Sequence, residues 1–245
     1  MEALQKLVYY LVNFLNKIGV NSIFELIAFI GCIYFLVKRF ILRKAPVPSS
    51  AFKTVPHELL KKCVEILQRK EKKSYAPYKV PEEILEGLKK ELNDEVNLKR
   101  LLCDICAHLG IDGSFIRLIV QDTPMPDRAG EIDTDLAHTT IRLELKPYYT
   151  IDTVVAVLAH ESIHLHLYYE GIHLSDTWEN EILTDTAAVY CGFGEYIYRG
   201  YAVMQGEFAL SYQKVGYIKQ EDVQYIQTLF MEGKEWENNE NRYGL

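Results

Sequence analysis

Between Val154 and Leu167 the chain reads VVAVLAHESIHLHL, and inside it His160-Glu161-Ser162-Ile163-His164 has the pattern HExxH. On an α-helix, residues four apart differ by only about 40° in direction, so two imidazoles at that spacing leave one face about one turn apart. From there both ring nitrogens can reach a single zinc ion at about 2.0–2.1 Å. Glu161 leaves the helix roughly 100° from His160, beside the ion and not on it. In that place a carboxylate can take a proton from water activated by the metal and later hand it to a leaving amine. Val154, Val155, Val157, Leu158, Ile163, Leu165 and Leu167 make the rest of the segment apolar. The helix is therefore expected to be buried, and polar groups on a buried helix need partners.

A zinc site of this type needs a third ligand. After the turn-like GIHLSD comes TWENEILTDTAA, in which Glu181 and Asp185 are four apart on one helical face. Glu181 is the expected ligand, and Asp185 is expected to accept a hydrogen bond from the outer nitrogen of a ligating histidine, fixing its tautomer. The small residues Thr186, Ala187 and Ala188 would let the two helices approach. Two other ligands are open: Glu179, which lacks an Asp four residues on, and His173, in the turn. His166, two residues past His164, should point away. Such a set leaves one coordination position free, as hydrolytic zinc sites do and structural sites do not.

HExxH followed on a second helix by ExxxD resembles the gluzincin metallopeptidases. The likeness runs from Val154 to Gly194, with sixteen residues between His164 and Glu181, fewer than in thermolysin. It implies His160, His164 and Glu181 as zinc ligands, Glu161 as general base, Asp185 as the supporting carboxylate, and peptide-bond hydrolysis in a zincin-like domain. It also implies that Thr139–Leu145 (TTIRLEL) is the edge strand against which an extended peptide lies. No residue aligns as the donor to the developing oxyanion; Tyr190, Tyr212 and Tyr217 are candidates only, each more often a packed aromatic. His138, just before that strand, either faces the cleft or lies on the surface.

The elements that must position these residues are an α+β set, mainly helical, with a small sheet. Helices are expected over 57–73, from Pro81, and from Asn93 or Asn97 to Gly110. Strands are expected at Phe115–Val120 and Thr139–Leu145, with a Pro/Gly/Asp loop from Asp122 to Asp135 between them. After Thr150 the pattern is mainly helical, with turns at Gly192–Gly194 and Lys214–Tyr217.

Upstream of this domain (57–245), residues 44–56 carry three prolines and two serines and read as a linker. Residues 21–43 contain the apolar run Ile23–Leu42, whose 20 residues match a hydrocarbon core of about 30 Å. Residues 1–20 show apolar positions at helical spacing with Lys6 and Lys17 elsewhere, suiting an interfacial helix or a contact between copies in a homo-oligomer. Residues 1–50 hold six Lys/Arg against two Glu, about +4, so the rest of a chain of net charge -7 is about -11. An acidic body argues against nucleic-acid binding. Lys38, Arg39, Arg43 and Lys44 follow the apolar run, which predicts a single-pass membrane protein anchored by its N-terminal helices, with the catalytic domain cytoplasmic. Of the five cysteines, Cys103 and Cys106 form a lone CxxC, expected to be two small residues on one helix face in a reducing compartment. The expected substrate is a protein or peptide near the membrane. The other readings are hydrolysis of a non-protein amide, a zinc-binding scaffold without catalysis, and a metal-free protein with an accidental HExxH.

Overall fold

The computed structural model describes residues 54–71, 73–121, 129–134, 139–205 and 211–243; the side chains of 134, 202–205, 211–214 and 232–243 are outside that description. The expectations for 1–20, for 21–43 and for most of the 44–56 linker fall on residues outside it. Among the described residues no helix is long and apolar enough to cross a membrane.

Seven helices and two small sheets are described, in the order α1 (His57–Lys70), α2 (Glu82–Lys90), α3 (Glu95–Leu109), β1 (Ile116–Gln121), β2 (Gly130–Thr134), β3 (Thr139–Glu144), α4 (Ile151–Tyr169), α5 (Thr177–Ala188), α6 (Gly194–Gly200), β4 (Ala202–Gln205), β5 (Ser211–Lys214) and α7 (Gln220–Tyr243). The fold is α+β and mainly helical, as expected.

Helix α4 is central because it is apolar on nearly every side: Thr153 to Ile163 is buried without interruption. It starts sharply. The Thr150 hydroxyl accepts from the Thr153 amide while the Thr153 hydroxyl accepts from the Thr150 amide, a reciprocal cap worth about 1 kcal/mol. Helices α3, α5 and α6 pack around α4, and β2 and β3 lie against it. Helix α1 buries Leu59, Leu60, Cys63, Val64 and Leu67 and covers α5, while α7 covers α1 and α6. Burying a Leu or Ile side chain contributes about 1.5–3 kcal/mol, so this wall of aliphatic residues is what holds α4 and α5 together.

Two boundaries differ from the sequence reading in an instructive way. Helix α3 begins after Asp94, not at Asn93 or Asn97, because the Asp94 carboxylate accepts from the amides of Val96 and Asn97. An anion at a helix N-terminus also meets the positive end of the macrodipole. The segment Val189–Phe193 is a wide helical turn kinked at Gly192, which redirects the chain from α5 into α6.

The three-stranded sheet has the order β1-β3-β2, with β1 parallel and β2 antiparallel to β3. The expectation for Thr139–Leu145 as an edge is therefore wrong: β3 is the middle strand. Ile141 and Leu143, both buried, made its alternation legible. The edge toward α4 is β2, GEIDT, inside the stretch read as a loop. Gly, Glu and Asp are depleted in strands, and only Ile132 carries an apolar signal there. Edge strands tolerate such residues because charges discourage pairing with other chains. The ribbon of β4 and β5 was likewise missed within a region read as helical.

Candidate metal centre

Helix α4 projects His160 and His164 from one face, and α5 brings a second face up to them. Asp176 caps α5 by accepting from the Glu179 amide, and the Asn180 side-chain oxygen accepts from the Leu174 amide, tying the preceding turn to the helix. Residues 181, 184 and 185, at i, i+3 and i+4, then share the face turned to α4.

Three donor atoms meet. His160 Nε2 and His164 Nε2 are 3.1 Å apart, and Glu181 Oε2 is 3.1 Å from the first and 3.2 Å from the second. Ligands at about 2.0–2.1 Å from a tetrahedral ion are separated by ~3.3–3.4 Å, so this triangle fits one zinc ion with little adjustment. It is also the only group of three His, Cys, Asp or Glu side chains among the described residues whose donor atoms converge in this way. The three side chains are 10%, 20% and 19% exposed in the order His160, His164, Glu181, so the cluster opens to solvent on one side.

Each imidazole offers Nε2 because its Nδ1–H is engaged elsewhere. His160 Nδ1 donates to Asp185 Oδ1 at 2.8 Å, and His164 Nδ1 donates to the Thr184 hydroxyl at 3.2 Å, which in turn donates to the Asn180 carbonyl at 2.9 Å. A metal-ligating histidine needs such a partner to hold its tautomer. Asp185 is wholly buried and saturated. Oδ1 also accepts from the Tyr201 hydroxyl, and Oδ2 accepts from the amides of Tyr217 (2.8 Å) and Ile218 (3.2 Å).

The charges respond to this packing. Burial pushes the Glu181 carboxyl up, but the hydrogen bonds from His160 and His164 outweigh it and bring it down to about 2. Burial opposes a charge on His160, yet the Asp185 carboxylate, by charge and hydrogen bond, and Glu181 hold it well above the ordinary imidazole range. Burial raises Glu161 above the usual carboxylate range against the pull of both histidines, and Glu181 and Glu131 add to the rise.

Glu161 is buried next to the triangle and is not part of it. Strand β2 runs directly beside it. A Cβ on Gly130 would lie 2.7 Å from Glu161 Oε1 and 2.7 Å from Val157 Cγ1, which only glycine avoids.

His160, Glu161, His164, Glu181 and Asp185 are thus brought together, and Tyr217 lies against them; Glu179, His166 and Tyr190 are engaged elsewhere. Glu179 pairs with Lys62 at 2.8 Å, and His173 is exposed. His166 faces the opposite way, bonded to Glu71 at 2.7 Å. The Tyr190 hydroxyl donates to the Lys73 carbonyl. Tyr217 stacks on the His160 ring at 5.9 Å; the Tyr212 side chain and His138 lie outside the described residues. Cys106 is buried with its thiol facing the Ser162 hydroxyl at 3.7 Å, and burial pushes that thiol up to about 11, the behaviour of a packed side chain. Sequence reasoning missed Thr184, although it sits on the same i, i+3, i+4 face as Glu181 and Asp185. It also missed Tyr201 and Gly130, for which no spacing signal exists.

No known protein family, no curated protein and no solved structure matches the chain.

Proposed function

We propose that this chain is a zinc-dependent hydrolase of the gluzincin type with a zincin-like catalytic domain, acting on peptide bonds. The observation that carries the reading is the convergence of His160 Nε2, His164 Nε2 and Glu181 Oε2 within 3.2 Å of one another, with Glu161 beside them. A purely structural zinc site would gain nothing from that extra buried carboxylate, and structural sites close all four positions.

Zinc, when bound there, supplies a Lewis acid that polarises a carbonyl and makes water more acidic. The chain's own residues do the rest. His160 and His164 are locked as Nε2 donors by Asp185 and Thr184. Glu161, held at a raised pKa by burial, takes the proton of the attacking water and gives it to the departing amine.

The free edge of β2 supports a peptide as substrate. The Glu144 amide donates to the Ala129 carbonyl at 3.0 Å, so by the alternation of an antiparallel ladder Glu131 and Asp133 turn their backbone groups to β3. Gly130, Ile132 and Thr134 turn theirs outward, and no strand among the described residues takes them up. An extended peptide added to that edge would pass alongside Glu161. The apolar run 23–42 with its basic flank supports a site of action at a membrane, with the catalytic domain on the cytoplasmic side.

The test is the Glu161→Gln variant. It should bind zinc as the parent does and lose turnover by about 10²–10⁴-fold. Comparison of the proteomes of cells carrying parent and variant should show fragments that require the glutamate. A variant that cleaves at the parental rate overturns the assignment.

A further inference from the structure

Asp185 takes four hydrogen bonds, and only one comes from the metal site. The others come from the chain that follows α6. We propose that Tyr201 is a positioning residue for the metal site: through Asp185, its hydroxyl fixes His160 in the orientation and tautomer that offer Nε2 to zinc. The inference rests on the metal-centre reading above and goes beyond the HExxH and ExxxD patterns, neither of which includes residue 201.

The geometry is specific. Tyr201 is buried, and its hydroxyl donates to Asp185 Oδ1, the oxygen that also receives His160 Nδ1–H; that hydroxyl lies 3.4 Å from Nδ1 itself. A carboxylate oxygen only accepts, so the Tyr201 hydroxyl is the donor in this contact. The ring cannot swing away. Gly216, at φ +82°, is the residue against which it packs, and a Cβ there would overlap the ring. The backbone closes the clamp, since the Val215 amide donates to the Tyr201 carbonyl at 2.9 Å. The same turn supplies the Tyr217 and Ile218 amides to Asp185 Oδ2. The carboxylate is therefore gripped at both oxygens, and His160 is aimed by a group that has no freedom to turn. Without the hydroxyl, Oδ1 keeps only the imidazole as partner, and a buried acceptor loses a bond it cannot replace from water.

The experiment measures zinc affinity by chelator competition on the full chain for parent, Tyr201→Phe, Asp185→Asn and the double variant. Phenylalanine keeps the ring against Gly216 and removes only the donor. Loss of such a supporting partner costs about 10–100-fold in metal affinity, and that drop is expected for Tyr201→Phe. If Tyr201 acts through Asp185, the double variant binds no more weakly than Asp185→Asn alone, because the two changes break one chain of contacts. Zinc affinity of Tyr201→Phe within twofold of the parent overturns the inference, as do fully additive losses, which a general structural role would give. A parent that binds no zinc overturns the metal centre itself. Should Tyr201→Phe fail to fold, the metal-free parent decides: nitrogen-15 spectra of its histidines and exchange of its tyrosine hydroxyls must show an exchange-protected hydroxyl proton close to His160 Nδ1–H. Its absence overturns the inference.

Discussion

Replacing Gly130 by alanine should separate catalysis from both metal binding and stability. The new methyl carbon would stand 2.7 Å from Glu161 Oε1 and 2.7 Å from Val157 Cγ1, where carbon contacts normally settle at about 3.5–4.0 Å. Something must yield by roughly 1 Å. Both atoms are at the ends of side chains, so the backbone of α4 need not move. The conflict is relieved by turning Glu161 aside and easing β2 outward. Over-packing of this kind costs about 1–3 kcal/mol, a fall in melting temperature of roughly 2–12 °C for a domain of this size. The effect on rate is far larger in proportion, since misplacing a reacting group by 1 Å costs on the order of 10²-fold. None of the three metal-binding side chains is touched. The assay is hydrolysis of a quenched fluorescent peptide library by the zinc-loaded full chain, with zinc content and melting temperature measured on the same samples. The expected result is full zinc occupancy, a melting point a few degrees lower and kcat reduced about 100-fold. Turnover within twofold of the parent would refute the placement of β2 over the general base.

Two further predictions follow from the charges at the site. Metal-free protein holds a proton on His160 above the ordinary imidazole range because Asp185 and Glu181 together outweigh the penalty of burial, and zinc needs that nitrogen bare. Titration calorimetry in buffers of different ionisation enthalpy should therefore show about one proton released per zinc at neutral pH, with affinity rising as pH rises toward the raised pKa; a binding enthalpy that does not depend on the buffer counts against it. Glu181→Gln removes an anionic ligand, so zinc affinity should drop by more than the ~10–100-fold typical of a supporting partner. The Glu181 carboxyl lies at about 2 in the fold, so its contribution to metal-free stability is present above its ordinary pKa of about 4.5 and disappears as pH falls toward 2. Urea unfolding of chelated parent and variant should show a stability difference that narrows over that interval; a constant difference would contradict the assignment.

The parts of this site that are legible in the sequence are those set by the period of a single helix. His160 and His164 at i, i+4, and Glu181 with Asp185 at i, i+4, announce one face each, and the structure turns those faces together. Thr184 belonged to the same pattern and was overlooked because a threonine is not itself a ligand, although its hydroxyl is what holds the Nδ1–H of His164. The edge strand was hidden for a different reason. GEIDT has the composition of a turn, and its glycine reads as a break in regular structure when it is in fact the residue that lets a strand pass a buried glutamate. Tyr201 was out of reach altogether. It meets Asp185 from beyond α6, and the turn that clamps it follows β5, so no local spacing relates them.

A single face of α5 carries Glu181, the proposed third ligand, together with Thr184 and Asp185, which hold His164 and His160, so its rotation about its own axis is fixed by these contacts together. Adding or deleting one residue within α5, between its Asp176 cap and Glu181, would turn that face by about 100° relative to the cap and remove Glu181, Thr184 and Asp185 from the site together. The stretch from Asp176 to Glu181 is thus constrained in phase. The chain fixes that phase locally, with Asp176 capping the start of the helix and Asn180 holding Leu174 against it. Those two side chains touch none of the three metal-binding groups, yet the register they set is what brings an ExxxD helix into line with an HExxH helix.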